Sequence, residues 1–354
     1  MTTNDDKSKE SSLRQNSSRI GKYLSKYLEG FLFDEFTDAY IDRQQLNLSF
    51  MRGVPAPFRK QTEASSDVQI PHGDLTGQKT SYMKQDGFLV EELCINMAWI
   101  IGISPKFPHA QAYTTFMVLF YGDKAIDFLI GIAKKSAELK EFDASCVFYR
   151  AALCIEPENL TAMFEYAHVC REIYLSLDDN KQIGDYKAEA FHYFELTTVL
   201  HPEFADSHYY LGYAYLNLGL YKKAQLTWKR YLKLSSQDDK HEEIKDRISR
   251  LTAPVEIEKG CNSVLAGRTD EGISMLESHT NDKYSRWWPL YYYLGIAYKA
   301  KNERIESEKM FKKALDLNPS HIESMEELAD LYKASEDFIL EKKYRNKAAL
   351  VRES

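Results

Sequence analysis

Apolar and aromatic residues recur with helical spacing in two segments of the chain that align with each other. The first begins at His208 and reads HYYLGYAYLNLGLYKKAQLTWKRYL; the second begins at Tyr291 and reads YYYLGIAYKAKNERIESEKMFKKAL. In both, an aromatic–Leu–Gly triplet is followed three residues later by Tyr, and further on by a small and a large aromatic residue four positions apart. Residues four apart share one face of a helix. Each segment is therefore expected to form two packed helices.

The small residue of the triplet recurs along the chain at a nearly constant interval. The spacings are 34, 45, 48, 35 and 34 residues between Ala133, Ala167, Gly212, Gly260, Gly295 and Ala329. The two long intervals indicate insertions into a period of 34, the first between the two helices of the second repeat and the second between the third and fourth repeats. The second insertion, QDDKHEEIKDRISR, predicts an extra helix. Because one hairpin cannot bury its apolar face alone, copies are expected to stack.

This pattern resembles the tetratricopeptide repeat (TPR), from Lys124 to the C-terminus. The resemblance is most complete in the unit with Gly295, Tyr298, Ser307, Phe311, Ala314 and Pro319. The unit around Gly260 is the most degenerate, and the last unit is recognisable only in its first helix. The resemblance implies an all-α fold, an α-solenoid in which about six hairpins form a right-handed superhelix over 124–354. The expected units are 126–159, 160–204, 205–238, 253–286, 288–321 and 322–354.

The N-terminal part of the chain follows a different pattern, and the whole chain resembles uncharacterised bacterial TPR proteins with a similar helical region there. Residues 1–17 are polar and predict a disordered tail, and 18–123 predict a helical region. A long polar loop is expected at about 47–85. Helices are expected from Phe88 to Ile101 and from His109 to Tyr121, and they would cap the first repeat. A further amphipathic helix, packed on a neighbouring helix, is predicted by Ile20, Tyr23, Leu24, Tyr27, Leu28 and Phe31.

Composition and charge narrow the classes of function. Gly and Pro are scarce, at 16 and 10 of 354 residues, which favours helices. A net charge of −7 without a long Lys/Arg run argues against a nucleic-acid surface. The polar start lacks a secretory signal, and the longest apolar run is far shorter than the ~20 residues that span a bilayer. A cytoplasmic location without membrane insertion is therefore expected.

The sequence contains no convincing catalytic or metal-binding constellation. Walker A, G-x-G-x-x-G and G-x-S-x-G motifs are absent. His168 and Cys170 lie two residues apart on a predicted helix, so their side chains diverge. Buried thiols are expected rather than a zinc site or disulfides for Cys94, Cys146, Cys154, Cys170 and Cys261, which include no C-x-x-C pair. The prediction is a protein that is not an enzyme and carries no cofactor.

The resemblance also implies a partner-binding groove, lined by the first helix of each hairpin. Carrying the groove positions of the family onto this chain gives Phe164, His168, Arg171, Tyr209, Tyr213, Asn217, Tyr292, Ile296 and Lys299. The alternative for any one of these tyrosines is packing between neighbouring helices. A carboxylate clamp of Lys and Asn is not expected, because Phe, His and Tyr stand at the corresponding places. Apolar or aromatic-rich segments, helical or extended, would suit this lining better.

The leading functional hypothesis is a scaffold or adaptor that binds a protein or peptide segment in the aromatic-rich groove. One alternative is a chaperone that shields apolar segments of a client, although six repeats exceed the number usual in secretion chaperones. The other is a regulator or enzyme whose active part lies in the N-terminal 123 residues, where the 47–85 loop is the place for it. The partner and the oligomeric state are not predicted.

Overall fold

The structure is a computed structural model that describes residues 19–29, 31–35, 49–59, 90–236 and 239–353. The tail predicted at 1–17 lies outside the described residues, as do residues 47–48 and 60–85 of the predicted loop. The chain divides into two compact units, Met1–Leu211 and Gly212–Ser354.

The first unit opens with a short helix and two strands, which are followed by helices that pair as hairpins. Its elements are α1 (Gly21–Leu24), a 3₁₀ turn (Ser25–Leu28), β1 (Phe31–Glu35), a 3₁₀ turn (Ser49–Met51), β2 (Pro55–Arg59), α2 (Val90–Ile103), α3 (Ala110–Tyr121), a 3₁₀ turn (Gly122–Lys124), α4 (Ala125–Glu138), α5 (Phe142–Ile155), α6 (Leu160–Ser176) and α7 (Asn180–Leu200). Helix α8 (Ala205–Asn217) contributes its residues up to Leu211 to this unit.

The second unit contains the rest of α8 and the remaining hairpins. Its further elements are α9 (Tyr221–Leu234), α10 (Asp239–Arg250), α11 (Thr252–Leu265), α12 (Thr269–Glu277), α13 (Trp288–Ala300), α14 (Arg304–Leu317), α15 (Ile322–Ala334) and α16 (Phe338–Glu353). Helix pairs fall in all six of the repeat units expected from the sequence, including a second helix in the last one. Helix α10 is the extra helix of the second insertion. The all-α fold class, built from TPR-like hairpins, is confirmed.

The helix predicted from Ile20 to Phe31 is wrong in its second half. Helix α1 ends at Leu24, the 3₁₀ turn ends at Leu28, and Phe31 begins strand β1. At Glu29 the backbone is already extended, with φ −60° and ψ 135°. The sequence Phe-Leu-Phe favours a strand as readily as a helix, and pairing with a distant segment decides between them.

The distant segment is β2, which lies inside the stretch that the sequence assigned to a polar loop. Strands β1 and β2 are antiparallel, with Phe31 opposite Arg59 and Glu35 opposite Pro55. The loop prediction is therefore wrong for 55–59, and also for the 3₁₀ turn Ser49–Met51. Proline is tolerated here because a two-stranded sheet consists of edge strands.

Helix α2 packs against α5, the second helix of the first hairpin. Trp99 is fully buried, and its ring centroid lies 5.5 Å from that of Phe148. A Cβ atom at Gly102 would lie 2.1 Å from the carbonyl oxygen of Val147, so the two helix backbones meet at this glycine. The Trp99 indole N–H donates to the carbonyl of Tyr27 at 3.3 Å, which fixes the N-terminal segment to α2.

In two hairpins of the second unit, a glycine on the first helix faces an aromatic ring on the second. A Cβ atom at Gly212 would lie 2.2 Å from the indole nitrogen of Trp228, and one at Gly295 would lie 2.7 Å from the ring of Phe311. Both rings are fully buried. The Ser307 hydroxyl also donates to the Gly295 carbonyl at 2.8 Å. The small and aromatic residues of the repeat are therefore partners in space.

The first insertion lengthens helices more than it lengthens a loop. Helices α6 and α7 have 17 and 21 residues, whereas α13 and α14 have 13 and 14. Each long helix has a polar N-cap, because the side chains of Asn159 and Asp179 accept hydrogen bonds from the backbone N–H groups of Ala162 and Gln182.

Gly295→Leu is expected to lower the free energy of unfolding by about 1–3 kcal/mol, because the new side chain meets the buried Phe311 ring. The matched control is Gly131→Leu in α4, where a Cβ atom meets no side chain or other helix within 4 Å. There leucine should be neutral or stabilising by up to about 1 kcal/mol, through helix propensity. Chemical denaturation of both variants measures the difference. Equal effects would contradict the close approach at Gly295.

Candidate partner-binding surfaces

In the first unit, three predicted groove residues lie on one face of α6 and converge on Tyr210 of α8. Phe164, His168 and Arg171 are spaced by four and three residues and therefore share a helix face. The ring centroids of Phe164 and His168 lie 5.9 and 4.9 Å from that of Tyr210. The Arg171 guanidinium lies 5.7 Å from the same ring, within cation–π range. We call these four residues, together with the two rings that pack against them, the Tyr210 cluster. Its members are Phe164, His168, Arg171, Phe194, Phe204 and Tyr210.

The apolar floor of the Tyr210 cluster consists of rings from four parts of the chain. Phe164 makes edge contacts with Phe204 at 5.0 Å and with Phe194 at 5.9 Å. Tyr210 stacks on Phe194 at 5.4 Å with an interplanar angle of 11°. Because Phe164 and Tyr210 are only half-buried, each combines a packing role with an accessible side.

The polar rim of the cluster is formed by His168, Arg171 and Glu172. A hydrogen bond of 3.0 Å joins His168 Nε2 and the Tyr210 hydroxyl. Arg171 Nη1 donates to Glu172 Oε1 at 2.7 Å, and the two side chains are 35% and 39% exposed. An ion pair this exposed contributes little to folding and leaves the guanidinium accessible to a second acceptor.

The sequence prediction named Tyr209 but missed Tyr210, which is the residue that joins α6 to α8. Tyr209 is half-buried, and its ring contacts that of Tyr210 edge-on at 5.1 Å. The adjacent tyrosines 209 and 210 indicated that an aromatic side chain of α8 contributes to this surface. It could not indicate which of the two rings reaches Phe194, since that depends on the rotation of α8.

In the second unit, Tyr213 contacts the inserted helix α10. Its hydroxyl donates to the carboxylate of Glu243, and the Arg247 guanidinium lies 4.7 Å from its ring. On the other side, its ring meets Trp228 at 5.0 Å. These contacts give Tyr213 a packing role between α9 and α10, the alternative that the sequence left open. Asn217, at the end of α8, is exposed.

The remaining predicted groove residues lie along α13. Tyr292 is half-buried, with its ring 5.9 Å from Phe311 and 4.8 Å from His321. Burial, reinforced by the negative charge of Glu327, raises the pKa of Tyr292 to about 12. Ile296 packs against the apolar core of the last hairpin. The Lys299 ammonium pairs with Glu327, and its side chain is 38% exposed.

His321, which the sequence analysis did not single out, organises the start of α15. Its ring packs on Trp288 at a centroid distance of 4.1 Å, and its Nδ1 accepts a hydrogen bond from the backbone N–H of Ser324 at 3.2 Å. Burial lowers the pKa of His321, although Glu323 opposes the shift. The neutral ring is therefore the capping form, because a protonated Nδ1 cannot accept.

Within the described parts of the chain, no cluster of three or more His, Cys, Asp or Glu side chains could hold a metal ion. Burial raises the pKa of Cys154 to about 11 and that of Cys261 to about 12, which leaves both thiols protonated near neutral pH. Among these described residues, no helix is long and apolar enough to span a membrane.

Truncation of Tyr213 is expected to destabilise the second unit. Tyr213→Ala removes contacts with Trp228 and α10, and we expect a loss of about 2–4 kcal/mol in the free energy of unfolding. Asn217→Ala, four residues further along the same helix, should change it by less than about 0.5 kcal/mol. Denaturant titrations followed by circular dichroism distinguish the two. If Tyr213→Ala melts like the unchanged chain, the packing role is wrong and the ring is available to a partner.

The capping role of His321 predicts a pH dependence of stability. Because its pKa in the folded chain is below the ordinary 6.5, the unfolded chain binds this proton first as the pH falls. Stability should therefore decrease from about pH 6.5 downwards. His321→Asn keeps a capping oxygen without a titrating group, so its stability should decrease less steeply. Denaturant titrations at a series of pH values test this, and parallel curves for the two proteins would refute it.

Of the comparisons with known proteins, the one with solved structures gives matches to this chain. No protein-family model matches the chain, and no curated protein matches it significantly. Among similar solved structures is a tetratricopeptide repeat protein from Parabacteroides merdae ATCC 43184, which is 14% identical, with 74% of this chain and 90% of that chain covered and a TM-score of 0.31. A MamA fragment from Desulfovibrio magneticus RS-1 is 15% identical, with coverages of 66% and 97% and a TM-score of 0.26.

A third similar structure is that of YrrB, described as a TPR protein with an unusual peptide-binding site. It is 21% identical, with 56% of this chain and 88% of that chain covered and a TM-score of 0.30. At these identities and TM-scores, no binding property is carried over to this chain. The hairpin assignment rests on the glycine–aromatic contacts of the chain itself. The resemblance to the TPR family that the sequence indicates is confirmed at the level of the fold.

Proposed function

We propose that this chain is a protein-interaction module that binds a segment of a partner protein, and that the Tyr210 cluster is its principal contact in the first unit. The observation that carries this proposal is the convergence of Phe164, His168 and Arg171 on Tyr210, which joins half-buried rings to an accessible guanidinium. Tyr and Arg dominate the energy of protein interfaces because they offer a large contact area at small entropic cost.

The geometry also indicates which side chains a partner should present. The half-buried rings of Phe164 and Tyr210 favour an apolar or aromatic side chain. The Arg171 guanidinium favours a carboxylate, which would replace or share the exposed contact with Glu172. A segment with an acidic residue close to an aromatic or aliphatic one therefore fits this surface better than a basic segment.

The second unit offers a surface of different charge along α13. Tyr292 and Ile296 supply its apolar part, while Lys299 is already paired with Glu327. Next to them, Glu323 carries an exposed carboxylate at the start of α15. We propose that this surface makes apolar contacts and favours a partner without a local excess of negative charge. Tyr213 is assigned to packing and is left out of the proposed surfaces.

The experiment is peptide display on the full chain, followed by measurement of the dissociation constants of the selected peptides. We expect the peptides to combine a carboxylate with an apolar side chain, and Arg171→Ala to weaken their binding about tenfold or more. Arg286→Ala, which removes an exposed arginine from the second unit, is the control and should leave binding unchanged. Arg171→Lys should recover part of the loss, since it keeps the charge without the planar fork.

Two outcomes would count against the proposed surface. Peptides that bind Arg171→Ala and the unchanged chain equally would place the binding site elsewhere. A parallel loss of binding and of thermal stability in Arg171→Ala would assign the residue to folding, so each variant is also melted.

A further inference from the structure

The two-stranded sheet of the first unit has one edge that is closed to further pairing, the outer edge of β2. Pro55 and Pro57 have no backbone N–H to offer to a third strand. Their carbonyl oxygens are already engaged. The Tyr113 hydroxyl donates to the Pro55 carbonyl at 2.5 Å. The side-chain amide of Asn96 donates to the Pro57 carbonyl at 3.3 Å. Strand β2 therefore cannot serve as the template for a further strand.

The prolines also determine which backbone groups of β1 point away from β2. The ladder hydrogen bonds of an antiparallel pair are exchanged at every second residue pair. Pro57 lies opposite Phe33 and has no N–H, so that pair cannot exchange them. The ladder bonds of β1 therefore come from Leu32 and Asp34. The N–H and C=O groups of Phe33 and Glu35 point outward, away from β2.

The outer edge of β1 is open where these groups lie. Within the described parts of the chain, no backbone group outside the sheet forms a hydrogen bond with Phe33 or Glu35. The Phe33 side chain is 44% exposed. Proteins protect an exposed edge with proline, lysine or a covering segment, but β1 reads FLFDE and contains neither proline nor lysine. Strand β1 is thus the one to which another chain can add.

The sequence of β1 is complementary to its own open edge. When two copies of β1 run antiparallel with Phe33 opposite Phe33, the outward N–H and C=O groups of these two residues face each other. Phe31 of one copy then lies opposite Glu35 of the other, and Leu32 lies opposite Asp34. No two carboxylates are directly opposite, so no like-charge pair opposes this register.

Aromatic rings on one face of the sheet favour the same register. The Phe33 ring stacks on that of Phe107 at a centroid distance of 6.1 Å and an interplanar angle of 19°. Residues directly opposite in an antiparallel pair have their side chains on the same face. The two Phe33 rings therefore adjoin in this register, with a Phe107 ring on either side. Such a pair removes exposed aromatic surface from water.

We propose that β1 of the first unit pairs antiparallel with β1 of a second copy of the chain, which gives a four-stranded sheet in the order β2–β1–β1–β2. Each copy contributes a strand of 5 residues, which is small for a stable dimer, so association should be reversible on dilution. The interface uses no residue of the Tyr210 cluster. The dimer brings two copies of each partner-binding surface into one assembly, which increases the avidity for a partner with repeated segments.

The first test measures association of the full chain by sedimentation equilibrium at a series of protein concentrations. Phe33→Pro removes the outward N–H and leaves the ladder bonds of Leu32 and Asp34 in place. Phe33→Val is the matched control, because it also removes the ring but keeps the N–H. We expect the unchanged chain to dimerise with increasing concentration. The dissociation constant of Phe33→Pro should exceed that of Phe33→Val about tenfold or more, since two hydrogen bonds of the dimer are lost.

The second test locates the interface by cross-linking. In the proposed register the two Phe33 positions form a hydrogen-bonded pair, whose Cα atoms lie about 5.5 Å apart, a separation that a disulfide can span. Phe33→Cys should therefore form a disulfide-linked dimer under mild oxidation with diamide. Phe50→Cys is the control, because Phe50 is also exposed, at 37%, but lies in the turn before β2. It should cross-link no more than the unchanged chain.

Three results would overturn the proposal. The unchanged chain stays monomeric at every concentration, which would leave the edge of β1 to a different protein. Phe33→Pro and Phe33→Val associate equally, or Phe33→Cys cross-links no more than Phe50→Cys. If thermal melting shows that Phe33→Pro loses its fold, the cross-linking pair decides alone.

Discussion

Close approach of two helices at a small residue is the constraint on which the rest of this structure depends. Gly212 meets the Trp228 ring, and Gly295 meets the Phe311 ring, at distances that leave no room for a Cβ atom. Tyr292 lies three residues before Gly295, on the same side of α13. Its ring therefore contacts Phe311 as well as His321. The close approach at Gly295 thus also determines the surroundings of Tyr292.

The hairpins could be predicted from sequence because their closing contacts join residues near each other in the chain. The small and aromatic residues recur at helical spacing, and their partners lie within about one repeat length. The sheet could not be predicted in this way. Phe31 pairs opposite Arg59, and a Phe-Leu-Phe segment fits a helix stripe or a strand equally well until its distant partner is known.

The sequence predicted only part of the candidate surfaces, because local spacing does not encode contacts between distant helices. The spacing of Phe164, His168 and Arg171 fixes a common face of α6, and the structure brings all three to one ring. That this ring is Tyr210 depends on how α8 is rotated, which no local spacing encodes. Tyr213 was predicted from its spacing as a groove residue, but the inserted helix α10 supplies Glu243 and Arg247 as its partners. An insertion outside the repeat period thus changes the role of a residue inside it.

Arg150 explains why the N-terminal helices belong structurally to the first hairpins. A buried guanidinium is costly unless its N–H groups are satisfied, and removal of one partner would leave an uncompensated charge. Here the Gly102 carbonyl of α2 supplies one acceptor, and Tyr166 of α6 supplies another. Because Gly102 also allows α2 to touch the backbone of α5, the same contact satisfies the charge and closes the core. Docking of α2 thus fixes the position of the Arg150 guanidinium between α2 and α6.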